Sequence, residues 1–244
     1  MGMIAVKHIA DNVFGVFDFF GFLNMYIIDT GAGLALVDTG IGERSVRRLE
    51  KALRADGYAL DDIRHILITH FHADHTGGLS ILQERIDVPT YAHHLEAPYI
   101  RGDAPPVYAD PDTLRGVSRR MYRSLQQELK PARVDVEVRD GQKLNRVLPN
   151  LQVIHLPGHS PGQAGYYLPE SRILIGGDVM FSLPFGLRMP FRAPSPDWEA
   201  AKQSVRRVAR MDVLVLCVGH GRPRLGNADI PVEKLVKRIG GDSR

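Results

Sequence analysis

The stretch from His65 to Gly78 reads HILITHFHADHTGG, a short apolar run that ends in three histidines and an aspartate within six residues: His70, His72, Asp74 and His75. Imidazoles and carboxylates are the side chains that bind borderline transition metals, so the cluster reads as a metal site placed where a buried strand ends. His70 and His72 are two apart and point the same way on an extended segment. Asp74 and His75 are adjacent and diverge in any regular backbone. One closed tetrahedral site would need a tightly folded loop. Two metals side by side relieve the crowding, with His70 and His72 on one and Asp74 and His75 on the other.

The rest of the chain alternates strands and helices around that cluster. Met25–Ile28 and Leu34–Val37 are apolar runs, and the turn from Asp29 to Gly33 predicts a hairpin between them. Val46, Leu49, Ala52 and Leu53 have the spacing of an amphipathic helix over residues 43–56. A helix is expected over 79–85 and a strand in VPTYAHH from Val88. Residues 95–133 read as a helical insertion. Pro98, Pro105, Pro106 and Pro111 make its first part a loop. Asp110 and Pro111 then suit the first positions of a helix whose stripe is Leu114, Val117, Met121, Leu125 and Leu129. Arg115, Arg119, Arg120 and Arg123 on that helix read as a solvated face, with a substrate-facing basic patch as the alternative. Beyond it, strands are expected over 151–156, 165–168, 172–175 and 213–218. Helices are expected from Ser195-Pro196 to about Met211 and over 232–239. ALVDTG and ILIGGD each end an apolar run in Asp beside Gly, which hints at two similar halves. The expectation is one domain over residues 1–244, with helices flanking packed sheets.

Composition narrows the partners. The hydrophobic share of 44% is enough for a sizeable core, and the net charge of +3 is spread out, which argues against a nucleic-acid partner. Cys217 is the single cysteine, lies in the apolar run VLVLCVGHG, and reads as a buried small hydrophobe. The start MGMIAVKHIADN is interrupted by Lys7, His8, Asp11 and Asn12 and does not read as a signal peptide. No apolar run approaches the roughly 20 residues needed to span a bilayer. A cytoplasmic protein without a membrane partner is expected.

Three further candidates could complete the metal set. His159 sits in LPGHSPG, Asp178 in LIGGDVMF and His220 in CVGHGRP, each after a strand-like run and beside Gly. Glycine neighbours let a backbone crowd a metal. Each alone is an ordinary polar turn residue. Together with THFHADH they read as one constellation. His8, His65, His93, His94 and His155 read as structural histidines.

At these residues the chain resembles the metallo-β-lactamase superfamily, from MYIIDTG to VGHGRP, and THFHADHTGG fits that family's HxHxDHxGG motif in full. The resemblance implies an α/β fold, a four-layer αβ/βα sandwich with metals at the edge of two facing sheets. It implies that His70, His72 and His159 bind one metal, that Asp74, His75 and His220 bind the other, and that Asp178 bridges both. It also implies that Asp38, in VDTG, supports the ligand loop. Two zinc ions are expected, with iron, manganese or cobalt as other occupants. Two metals about 3.5–4 Å apart can share a hydroxide that attacks a carbonyl. Asp74 is the candidate catalytic residue, orienting that nucleophile and moving a proton to the leaving group.

Asp178 distinguishes branches of the family. Class B β-lactamases generally lack a bridging aspartate there, so the chain resembles the glyoxalase II and lactonase side, with β-lactam hydrolysis at most a weak side activity. Lactonases often carry a Tyr three residues after that aspartate, where this chain has Phe181. The expectation is hydrolysis of an ester, lactone or thioester. Alternatives are a persulfide dioxygenase with one iron, whose pattern is contained in this one, and a phosphodiesterase. Phe17, Phe19, Phe20 and Phe22 in VFDFFGFLN read either as a loop that in the family lies near the metals, with an apolar rim for an acyl group, or as a packed core of alternating Phe. Phe20, Phe22 and Phe181 are the candidate substrate contacts. Leu183, Pro184, Phe185, Leu187, Met189 and Phe191 suggest a second apolar wall, and Tyr99, Tyr108 and Tyr122 polar tips on a lid. The expected partner is a small, partly hydrophobic substrate. A homodimer is compatible with the remaining apolar stretches.

Overall fold

Side-chain alternation along β4 (Leu34–Val37) shows how the layers arise. Leu34 and Leu36 face a core shared with helix α1 (Glu43–Ala55), while Ala35 and Val37 face a second sheet. In the computed structural model, residues 7–125 and 130–240 are described, except the side chains of Phe20 and Ser124. The first sheet runs β1 (Lys7–Ala10), β2 (Val13–Asp18), β3 (Leu23–Asp29), β4, β5 (Ile63–Leu67), β6 (Thr90–His93) and β7 (Val136–Val138), in that order. Its pairs are antiparallel as far as β4 and parallel from β4 to β7. The second sheet has the order β13–β10–β9–β8, from Val215–Cys217, Ile173–Ile175, Ala164–Leu168 and Gln152–His155.

The inner faces of the sheets share one core. Tyr26, Ile28, Val37 and Leu67 come from the first sheet, and Val153, Tyr166, Ile173 and Cys217 from the second. Val46, Leu49 and Leu53 of α1, with Leu79 and Leu82 of α3 (Leu79–Gln83), cover the outside of the first sheet. Val205 and Val208 of α6 (Trp198–Ala209), with Val232 and Leu235 of α7 (Asp229–Arg238), cover Leu174 and Leu216 of the second. This is the expected four-layer sandwich. Among the described residues no helix is long and apolar enough to cross a membrane.

Several local expectations are corrected. VFDFFGFLN is not a loop throughout. Val13–Asp18 is strand β2, Phe17 packs on the inter-sheet core, and only Phe19–Gly21 forms a 3-10 turn. The Phe20 side chain lies outside the described residues. The helical stripe of the insertion begins later than its pattern suggests. Leu114 is extended and buried in a small core with Ala109 and Ala193. Gly116, at φ 51, redirects the chain into α5 (Gly116–Ser124), where Val117 is 79% exposed; Leu129 lies outside the described residues. Arg115, Arg119, Arg120 and Arg123 are exposed, as expected. The helix expected from Ser195 starts at Trp198 instead, because Asp197 caps it by accepting from the Ala200 N–H at 2.9 Å. The apolar wall after Asp178 is a hairpin, β11 (Phe181–Leu183) and β12 (Gly186–Arg188). Leu187 and Met189 pack beneath it and Phe185 at its tip is 87% exposed.

Candidate metal centre

The chain leaves β5 extended, so His70 and His72 project together while Phe71 between them is buried in the core under α1. A short helix, α2 (Ala73–Thr76), then turns Asp74 and His75 into the same space. Gly77 and Gly78 let that turn lie against the loop after β4. A Cβ on Gly78 would strike the Thr39 carbonyl oxygen. The Thr39 N–H and Oγ1 both donate to the His75 carbonyl, at 2.7 and 2.9 Å.

The second sheet brings the other side chains. His159 follows β8, Asp178 follows β10 and His220 follows β13. All seven candidates meet at one end of the sandwich. His159 Nε2 and His220 Nε2 each lie 3.2 Å from Asp178 Oδ2, and His75 Nε2 lies 3.5 Å from Asp178 Oδ1. His220 Nε2 is 3.1 Å from Asp74 Oδ2, and His72 Nδ1 is 3.0 Å from His159 Nε2. Ligand atoms of His70, His72 and His159 lie within 4.8 Å of one another, as do those of Asp74, His75 and His220. Asp178 forms a third such group with His70 and His75, and so stands between the other two. Gly219 makes this proximity possible, since a Cβ there would collide with Asp178 and come within 2.7 Å of His75 Cε1.

The protein also sets the tautomers. Thr69 Oγ1 donates to Asp38 Oδ2 at 2.8 Å, so at 3.0 Å it can only accept from His70 Nδ1. Asp38 Oδ2 accepts from His75 Nδ1 at 2.8 Å. Ser195 Oγ donates to the Phe191 carbonyl at 2.7 Å and therefore accepts from His159 Nδ1 at 3.1 Å. The Phe22 carbonyl accepts from His220 Nδ1 at 3.2 Å. In each of these four rings the proton is held on Nδ1, leaving the Nε2 lone pair for the centre. Among the described residues, His70 Nε2, His75 Nε2 and Asp178 Oδ1 are buried without a hydrogen-bond partner. Bare nitrogen lone pairs and carboxylate oxygens repel one another in a buried cluster, and a shared cation removes that repulsion. The residues therefore fit a metal.

Charge distribution agrees. Burial, helped by the neighbouring histidines, pushes His70 and His72 well below the usual imidazole range, which keeps them neutral ligands. Burial would raise Asp178, but His220 and His75 outweigh it and hold its carboxyl well below the usual range; His75 and His220 likewise keep Asp74 low. Burial opposes charge on His220 as well, yet Asp178 and Asp74 raise it to about 9. Asp178, Asp38 and Asp74 likewise outweigh burial and raise His75, so the two carboxylates at the centre draw positive charge to the Nε2 side of His75 and His220, the charge a metal would supply.

Asp38 stands where the resemblance implied. It occupies a left-handed conformation at φ 62, and its Oδ1 accepts from the Thr69 N–H at 2.8 Å while Oδ2 takes Thr69 Oγ1 and His75 Nδ1. Three supports were not anticipated. Glu96 is fully buried; its Oε2 accepts from the Phe71 N–H at 2.8 Å and its Oε1 from Ser160 Oγ at 2.8 Å and from the Gly162 N–H. It clamps the His70–His72 segment to the His159 loop. Asn24 Nδ2 on β3 donates to the carbonyls of Val218 and Gly221, at 2.7 and 2.6 Å, and holds the His220 loop. Ser195 orients His159. An acid inside HHLEAP and an Asn opening the run MYIID were the available signals.

Beside the cluster is a cavity of about 240 Å³, walled by Phe22, Ile41, Tyr108, Met121, Leu125, Phe181, Phe191 and Pro194, with Asp74, Asp178 and three histidines at its base. Phe22 and Phe181, two expected substrate contacts, are in the wall. Of the three tyrosines only Tyr108 lines it; its ring stacks on His72 at 5.7 Å and its hydroxyl donates to the Leu125 carbonyl. Tyr99 packs on Phe71 and Tyr122 on Tyr108.

A sandwich of two sheets with a buried His/Asp cluster at its mouth defines a metal-binding α/β enzyme fold. The chain belongs to the metallo-β-lactamase superfamily, whose model matches residues 19–220. It is similar to the "Probable metallo-hydrolase YybB" of Bacillus subtilis, with 29% identity over 215 residues that cover 88% of each chain. It is 26% identical to the hydroxyacylglutathione hydrolase GloC of Haemophilus influenzae over 202 residues, 80% of this chain and 83% of that one. Its fold matches the metallo-β-lactamase family protein TTHA1429 of Thermus thermophilus with a TM-score of 0.68 at 24% identity, over 95% of this chain and 80% of that one.

Proposed function

We propose that this protein hydrolyses an ester, lactone or thioester with two metal ions. His70, His72 and His159 hold one, Asp74, His75 and His220 hold the other, and Asp178 is shared. The observation that carries the reading is the pair of three-residue clusters joined at Asp178, with the tautomers of His70, His75, His159 and His220 set so that Nε2 faces inward. Bound metals supply an acidified water as nucleophile and a Lewis-acid site for the substrate oxygen. The chain's residues do the rest. Asp74, 32% exposed at the cavity floor, accepts a proton from the attacking water at its carboxylate and passes it to the leaving group. Phe22, Phe181 and Phe191 form an apolar wall that takes the acyl part and excludes bulk water. The hydroxyacylglutathione hydrolase among the relatives supports a thioester or ester in this role.

Elemental analysis of protein purified without added metal or chelator tests the metal count, followed by a panel of lactones, thioesters, phosphodiesters and β-lactams. Roughly two zinc ions per chain with ester, lactone or thioester turnover is expected. One iron per chain, with oxygen uptake on a persulfide and no hydrolysis, overturns the proposal.

A further inference from the structure

A second cavity, of about 550 Å³, shares Phe22 with the first and is otherwise lined by Ser182, Leu183, Pro184, Arg222 and Arg224 beside Gly21 and Gly221. It is separate from the apolar cavity and differs from it in chemistry. Two guanidiniums face it, and no carboxylate is among its described lining residues. Arg222 is exposed and, among the described residues, has no acidic partner. Among the described residues Arg224 Nη2 donates to the Leu183 carbonyl alone, at 3.3 Å, and its Nε is buried without a partner. Ser182 is 5% exposed, and its Oγ also has no hydrogen-bond partner. Two guanidinium side chains and a hydroxyl gathered with no carboxylate among them have the composition of an oxyanion site.

Position ties this cavity to the metal centre. The Phe22 ring lies 4.8 Å from the His220 ring and lines both cavities. Ser182 and His220 are backbone neighbours, the Ser182 N–H donating to the His220 carbonyl at 2.9 Å. Phe181, one residue earlier, turns into the apolar cavity instead. A substrate whose carbonyl sits over the metal cluster can therefore place one arm in each cavity.

We infer that the Arg222–Arg224–Ser182 cavity binds a carboxylate or phosphate on the substrate's leaving group, while its acyl group occupies the apolar cavity. This rests on the hydrolase reading above and adds the substrate's charge to it. The substrate class is then an ester or thioester of an apolar acyl group with an anionic alcohol or thiol.

Two measurements on the metal-loaded protein test it. The first is calorimetric titration with inorganic phosphate, for wild type, Arg222→Gln and Arg224→Gln. Phosphate affinity falls by roughly tenfold or more in Arg222→Gln, the lower end for losing a hydrogen bond to a charged group. Phosphate that binds at the metals alone, with affinity unchanged in both variants, overturns the site. The second compares butanoyl thioesters of 3-mercaptopropionate and of a neutral thiol of equal length. Wild type prefers the anionic thioester in kcat/KM, and the preference falls by roughly tenfold in Arg222→Gln. An equal preference in wild type and variant overturns it. If neither thioester is turned over, the hydrolase reading fails, and the phosphate titration still decides the anion site. Arg222 is exposed, so its variant folds; Arg224→Gln guards against a single-residue artefact.

Discussion

Asn24 is a sharp test of how the metal centre is built. Its Nδ2 donates to the Val218 carbonyl at 2.7 Å and the Gly221 carbonyl at 2.6 Å, on either side of His220. Asn24→Leu keeps the branching of the side chain in a larger group and removes both donors. The Val218 carbonyl retains the Tyr26 hydroxyl at 2.7 Å, so its loss is one ordinary hydrogen bond, about 1 kcal/mol. The Gly221 carbonyl loses the one donor it has among the described residues, with a desolvation cost of about 1–3 kcal/mol. Together the metal-free protein loses about 2–4 kcal/mol, read as a shift in denaturant midpoint at unchanged slope. His220 then swings more freely, and because loss of such supporting partners commonly costs about 10–100-fold in metal affinity, chelator competition should show one of the two metals released first. A variant as stable as wild type that holds both metals equally well would refute the idea that β3 positions the His220 loop.

Other consequences can be measured in the same way. Asp178→Ala removes the carboxylate that lies 3.2 Å from both His159 and His220, and metal analysis should show both ions lost together, with hydrolysis, while circular dichroism stays native. Asp38→Ala frees His75 Nδ1 and the Thr69 donors, and equilibrium dialysis should show about 10–100-fold weaker metal binding. Burial lifts the Glu96 carboxyl to about 7, from 4.5 in an exposed chain, although Ser160, Gly162 and Phe71 donate to it. The folded protein therefore keeps a proton that the unfolded chain releases, so this contribution is present below 4.5 and is lost as pH rises through about 7. It amounts to about 3 kcal/mol. The difference in unfolding free energy between metal-free wild type and Glu96→Gln across that window measures it, and a flat difference would disprove the shift.

The fold and the cluster were readable for different reasons. β4, β5 and α1 are local patterns, with turn residues, β-branched runs and helical spacing in one window. The ligand cluster was readable because metal-binding side chains are scarce and their spacing after apolar runs is specific. Glu96, Asn24 and Ser195 act through contacts across tens to hundreds of residues, from Glu96 to Phe71 and Ser160, from Asn24 to Gly221, and from Ser195 to His159. No local pattern carries such contacts. Phe17 stayed between a site loop and a packed core because four aromatics near a glycine hide a period-two strand, and its pairing with Asn24 decides for the core. The β11–β12 hairpin was missed although Pro184 and Phe185 form its turn, since its strands are only three residues each.

Each three-residue cluster takes two members from the end of the first sheet and one from the second, and Asp178 adds a further tie. The centre is therefore a seam. A cation there couples breathing of the two sheets to ligand loss, since separating them opens both clusters at once. Amide exchange at Ala164 and Asn24, whose N–H groups donate across that seam to Thr69 and Gly219, then becomes a reporter of metal occupancy. Function should fade on gentle heating before the outer helices α1 and α6 melt, because their apolar stripes are held mainly by the outer faces of the sheets rather than by the ligand loops.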